Sequence, residues 1–131
     1  MMIGLGVSSI SDTWYGFAQN VKDLDDYYQL LEWEKIPVFK GHILSQEDLK
    51  IRKHILNLMC QFETTWEHSE NYMPEILSQL QEMENDGLIK IEENKLKVTK
   101  SGKPFLRNIC MAFDLRLKRN APKTQLFSMT V

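Results

Sequence analysis

Two runs, Leu88-Ile89-Lys90-Ile91-Glu92 and Lys95-Leu96-Lys97-Val98-Thr99, alternate apolar and polar side chains about Glu93-Asn94. That period of two, broken by two turn-forming residues, predicts a β-hairpin. A two-stranded hairpin is marginal alone, so its apolar face must lie on helices. The flanking sequence supplies them. Ser45 caps a helix, with Asp48 at the third position as a shorter stand-in for the usual Glu, and Ile51, Ile55, Leu58, Met59 and Phe62 share one of its faces. A second helix opens near Pro74, carries Ile76, Leu77, Leu80 and Met83 as a stripe, and is placed to end at Gly87. After the hairpin, Ser101-Gly102 turns the chain and Pro104 opens a last helix. Phe105, Leu106, Ile109, Cys110, Phe113 and Leu117 share one of its faces; Lys103, Arg107, Asp114 and Lys118 line another. Helix, helix, tight turn, hairpin, helix is the order of a winged-helix-like unit. The fold class expected is therefore α+β, mostly helical.

The N-terminal part is less regular. Met2 to Ser11 reads as a short buried strand and then a loop. Gly4 and Gly6 invite a dinucleotide-loop reading, but Ser9 stands where the third glycine belongs and no amphipathic helix follows directly. The strand has no evident partner within the first forty residues, which suggests that a neighbour lies upstream. Asp12 to Asn20 looks like loop carrying Trp14, Tyr15 and Phe17. From Val21 to Lys35 a helix is expected, with Leu24, Tyr27, Tyr28 and Leu31 at helical spacing and Asp23, Asp25 and Asp26 at its positive end. Pro37 ends it, and Val38 to Leu44 reads as extended. The closing residues have turn chemistry at Pro122 and an apolar pair, Leu126-Phe127, suited to packing back as a tail.

Charge is divided along the chain. Residues 1–94 carry a balance of −10 and residues 95–131 a balance of +8. A basic third can meet an anionic partner, attract the acidic remainder or simply be solvated. As a winged-helix nucleic-acid module the chain fits poorly. Lysines 95 and 97 suit a wing, but the helix before it carries Glu75, Glu82, Glu84 and Asp86 with no Lys or Arg, a sign that DNA repels. No nucleic-acid partner is expected. Nor is a membrane partner, since no run approaches the roughly 18 apolar residues that cross a bilayer. No signal-peptide pattern opens the chain. Cys60 and Cys110 both lie in apolar helical patterns and read as buried reduced thiols, so a cytoplasmic location is expected.

No catalytic set emerges from the residues themselves. His42, His54 and His68 do not pair with either cysteine at metal-ligand spacing. Ser8, Ser9 and Ser11 lack a nucleophile-elbow setting. No catalytic residue and no metal ligand is assigned.

Longer strings say more. "IGLGVSSIS", "FAQN", "KGHILSQEDLKIRKHILNLMCQF", "DGLIKI", "VTKSGKPFLRNICMAFD" and "QLFSMTV" run in register over essentially all 131 residues. Together they resemble the C-terminal part of oxygen-independent coproporphyrinogen III oxidases, radical S-adenosylmethionine enzymes of haem biosynthesis. Lys40 and Lys53 stand where relatives often have arginine, and Gly16-Phe17 where a tyrosine is common. A bidentate arginine contact does not transfer to lysine unchanged.

The resemblance implies a parent enzyme that oxidatively decarboxylates two propionates of coproporphyrinogen III to vinyls, initiated by a 5'-deoxyadenosyl radical. It implies a Cys-x3-Cys-x2-Cys motif for a [4Fe–4S] cluster and a partial barrel that positions cluster, S-adenosylmethionine and substrate; the parent is expected to be a monomer. Two cysteines fifty residues apart cannot supply that motif, so this length of chain is expected to hold neither cofactor and to be inactive alone. Residues 1–20 would be the end of the barrel, a remnant strand and loop, and residues 21–131 the winged-helix-like C-terminal domain, which needs the N-terminal barrel as its partner. Ile10 corresponds to a position lining the site of a second S-adenosylmethionine. The basic face of Lys103, Arg107 and Lys118 would assist a substrate with four carboxylates. A haem-handling homologue without oxidase activity is a further alternative.

Overall fold

The computed structural model describes residues 1–119 and divides the chain into two compact units, Met1–Lys50 and the part from Ile51 onward. Each contains one three-stranded antiparallel sheet.

In the first unit, β1 (Ile10–Thr13), β2 (Gly16–Asn20) and β3 (Val38–Ile43) are ordered β1–β2–β3, with α1 (Leu24–Glu32) between the last two. The expectation of a buried strand at the very start, with loop from Asp12 to Asn20, is corrected. Trp14 and Tyr15 form a two-residue hairpin connection, and both flanking segments are strands. Met2 makes only a single bridge, to Asp12. The expected absence of a neighbouring strand is likewise corrected, because Ile10 pairs with Gln19 and Ser11 with Ala18, and β2 pairs in turn with β3. A boundary at residue 20 thus falls inside this unit. The helix and the extended stretch after Pro37 form as expected. The Asp23 carboxylate caps α1 by accepting from the Asp25 and Asp26 amides. Only Asn20 and Pro37 are buried in this unit, and Trp14, Tyr15, Trp33, Ile36, Phe39 and Ile43 stay exposed.

α2 (Gln46–Gln61) begins at the predicted cap. Ser45 and Asp48 bond reciprocally: the Ser45 amide donates to Asp48 Oδ2 at 2.8 Å and the Asp48 amide to Ser45 Oγ at 3.1 Å. The second unit continues with β4 (Glu63–Thr65), α3 (Met73–Asn85), β5 (Ile89–Glu92) and β6 (Lys95–Val98) in sheet order β4–β6–β5. The hairpin turns at Glu93-Asn94 as read from sequence. Leu58, Ile76, Leu80, Ile89, Leu96, Ile109 and Phe113 form the core between helices and sheet. Phe62 turns the chain from α2 into β4 at φ 61°, a left-handed conformation costly for a bulky side chain, with the Lys103 ammonium 4.0 Å over its ring.

Three details depart from expectation. Met59, Phe105 and Cys60 are exposed rather than buried; Cys110 is buried, and burial pushes its thiol pKa up. The last helix is broken, because a 3-10 turn at Lys103–Phe105 leads into α4 (Leu106–Met111), the chain turns at Ala112–Asp114, and α5 (Leu115–Arg119) follows. The cationic strip drawn from an unbroken helix therefore does not exist. Lys103 sits over Phe62, and Lys118 Nζ bonds the Ala112 carbonyl at 3.2 Å. The proposed tail at Leu126-Phe127 lies outside the described residues. Among those residues, no helix is long and apolar enough to cross a membrane.

One polar cluster lies inside the second unit. His54 is 3% exposed, with Nδ1 2.8 Å from Thr64 Oγ1 and Nε2 2.8 Å from Glu70 Oε2. Tyr72 donates its hydroxyl to the same carboxylate oxygen, and the Glu67 amide donates to the other. Burial raises the Glu70 pKa, but the bonds from Tyr72, His54 and the Glu67 backbone outweigh it and leave the carboxyl below its ordinary value. The spacing of His54 and Glu70, sixteen residues apart, gave no sign of this pairing in the sequence.

Candidate functional site: the Gly4–Ile10 loop

The segment leading into β1 is a loop folded around one amide. Asn20, at the end of β2 and 7% exposed, sends Nδ2 to the Gly6 carbonyl at 2.9 Å and to Ser9 Oγ at 3.0 Å. Ser9 Oγ in turn donates to the Gly6 carbonyl at 2.8 Å. The Asn20 amide donates to the Ser9 carbonyl at 2.9 Å, and the Ser8 amide to the Val21 carbonyl at 2.8 Å. From α1, Tyr27 accepts the Gly6 amide at 3.2 Å. Gly6 and Ser8 both take positive φ, 95° and 59°, which lets the chain double back in so few residues. Gly4 passes so close to the next strand that a Cβ there would stand 2.7 Å from the Ile10 carbonyl oxygen. Its amide donates to Ser11 Oγ at 3.1 Å.

Ile10 follows directly, paired with Gln19 across the hairpin and half exposed. An exposed branched side chain beside a loop of fixed backbone is a surface on which an apolar or aromatic ring can rest. It offers no proton, nucleophile or metal ligand. Among the described residues no group of three His, Cys, Asp or Glu side chains could hold a metal ion. With Cys60 exposed and Cys110 buried, fifty positions apart, the residues present do not fit a [4Fe–4S] cluster.

A shallow groove of about 270 Å³ in the second unit is lined by Trp66, His68, Met73, Pro74 and Asn94. Glu70 also lines it, but its carboxylate is bonded inward to His54 and Tyr72. Arg107, the middle of the expected cationic strip, is exposed on α4.

No family model matches the chain. Individual proteins do. The oxygen-independent coproporphyrinogen III oxidase of Escherichia coli K12 is 35% identical over 99% of this chain and 30% of its own length. That of Synechocystis is 37% identical over the same shares. The solved structure of coproporphyrinogen III oxidase from Escherichia coli, described as a radical SAM enzyme, superposes with a TM-score of 0.80 over 88% of this chain and 28% of that one, at 33% identity. The chain is homologous to the C-terminal part of the oxygen-independent coproporphyrinogen III oxidases.

It spans about 30% of the length of these coproporphyrinogen oxidases. Sequence reasoning singled out Ile10 only through the family resemblance, and it missed Asn20 and Tyr27. Both act on residues eleven or more positions away, and an Asn at a strand end carries no periodic signal.

Proposed function

We propose that this chain is the C-terminal portion of an oxygen-independent coproporphyrinogen III oxidase, which converts two propionates of coproporphyrinogen III to vinyls, giving protoporphyrinogen IX in haem biosynthesis. The observation that carries this reading is similarity over 99% of the chain to enzymes of that name, joined by a TM-score of 0.80 to a solved one. Within the parent, the first unit adjoins the barrel, which residues 1–20 complete, and the second unit forms a winged-helix-like cover on its open side. Ile10 then rests against the adenosine of a second S-adenosylmethionine, where an apolar side chain contributes contact area and excludes water. The exposed aromatic and branched side chains of the first unit suit burial against such a barrel better than solvent. The cluster would be held by three thiolates of the parent that this chain does not supply, and would provide the initiating electron. This chain's share is shape, apolar contact and the closure that keeps water out.

The experiment is a replacement. This chain is substituted for the matching stretch of the Escherichia coli enzyme, and conversion of coproporphyrinogen III is followed anaerobically. The chimera is expected to convert substrate, whereas the Escherichia coli protein lacking that stretch is not. A chimera that folds and takes up its cluster yet produces no protoporphyrinogen would sink the reading. The chain by itself, reconstituted anaerobically with iron and sulfide, is expected to show no cluster absorbance. Stoichiometric uptake would mean that other ligands do the work.

A further inference from the structure

We infer that Asn20 is the positioning residue of the Gly4–Ile10 loop, setting through its buried carboxamide the backbone from which Ile10 is presented. The functional part of this inference rests on the reading of Ile10 just given; the geometric part does not. One side-chain nitrogen gathers the Gly6 carbonyl and the Ser9 hydroxyl, and the same residue's backbone amide holds the Ser9 carbonyl. Gly6 is the loop's apex at φ 95°, and Ser9 is the residue immediately before Ile10. Between them these bonds fix both ends of the turn. The surroundings provide little apolar substitute, since Pro37 is the one apolar side chain of the first unit that is buried. Asn20 is thus a polar centre where a hydrophobic core would ordinarily serve, and its donor character is what the loop requires. The Gly6 carbonyl can only accept, and Ser9 has already committed its hydroxyl hydrogen to that carbonyl.

Donor character gives the inference a test that packing alone would not pass. Aspartate matches asparagine in shape but, when ionised, only accepts. In Asn20→Asp the carboxylate would face the Gly6 carbonyl oxygen across a 2.9 Å contact and repel it. Once protonated, its hydroxyl can donate to that oxygen and restore the loop. Burial and this bond both favour the neutral form, so the variant's loop should be held at acidic pH and released as pH rises through a titration above the ordinary Asp value of about 3.9.

The measurement is amide hydrogen exchange of the 131-residue chain, read by NMR at Gly6, Ser8 and Asn20, with the wild type at each pH as the control for Asp12, Lys22, Asp23, Tyr27 and Lys40. Exchange in Asn20→Asp is expected to be about tenfold faster than wild type at pH 7, as for the loss of one or two net hydrogen bonds, and to return toward wild type on acidification. Asn20→Ala should be fast at both pH values. Wild-type protection of Asn20→Asp at pH 7 overturns the inference, because it would show that asparagine only fills space. If Asn20→Ala loosens the whole first unit, pH reversal within Asn20→Asp still decides. In the active chimera, Asn20→Ala should raise KM for S-adenosylmethionine more than it lowers kcat. A loop loosened in exchange with KM unchanged would retire the Ile10 reading and leave the positioning role standing. An unchanged loop retires the positioning role whatever the kinetics.

Discussion

Gly102→Ala is expected to destabilise the second unit by about 3 kcal/mol or more, among the larger effects a single methyl can have. A Cβ at this position would stand 1.9 Å from the Leu88 carbonyl oxygen, 2.8 Å from its carbon and 3.1 Å from a Val98 methyl. The obstacle is backbone, and that backbone is pinned. The Leu88 carbonyl accepts both the Thr99 amide at 2.9 Å and the Thr99 hydroxyl at 3.0 Å, while the Gly102 amide returns to Thr99 Oγ1 at 3.1 Å. Relieving the clash therefore means breaking the seam that joins the start of β5 to the turn after β6. Gly87→Ala is the natural comparison. It places a side chain at φ 71° with nothing within 4 Å, so it should cost only about 1 kcal/mol. Urea unfolding of both variants would check the ranking. Equal midpoints would show that the turn moves freely.

Glu70→Ala should cost about 3 kcal/mol, because it leaves His54, the Tyr72 hydroxyl and the Glu67 amide without the acceptor they share. Glu70→Gln keeps one acceptor oxygen and should cost less. The acid side of the stability curve supplies a second readout. Glu70 is held below its ordinary value of 4.5, so the unfolded chain takes up the proton first as pH falls. Its contribution is full above about pH 4.5 and disappears as pH falls through the folded-state pKa. Thermal melts of Glu70→Gln between neutral and acidic pH should lack that part of the decline. A wild-type slope in the variant would place the acid sensitivity elsewhere.

Local chemistry was legible in the sequence where it acts over three or four residues. The Ser45/Asp48 box, the Glu93-Asn94 turn and the glycine end of α3 are each complete within such a span, and each forms where expected. β4 is three residues of Glu-Thr-Thr, too short for any period to show, and its pairing with β6 is thirty residues distant. The first hairpin was hidden because Trp14-Tyr15 lacks the glycine or asparagine that normally marks so tight a connection. The break after Met111 was concealed because Ile109, Cys110 and Phe113 keep helical spacing and are all buried, although Phe113 already lies in the turn before α5. At the candidate site, sequence similarity reached Ile10. It covered Asn20 only as part of a matching string, because the bonds from Asn20 to Gly6 and Ser9 exist only in three dimensions.

The first unit places an amide at its centre and aromatic rings on its surface, which reverses the usual partition of a small domain. Heat capacity of unfolding comes chiefly from apolar area newly exposed to water. A segment whose Trp, Phe and Ile side chains already face water has little left to expose, so its fifty residues add less to the calorimetric signal than their number implies. Its order depends on strand ladders and a few directional bonds, forces that strengthen on cooling rather than weaken. Temperature therefore bears on the two units with different curvature.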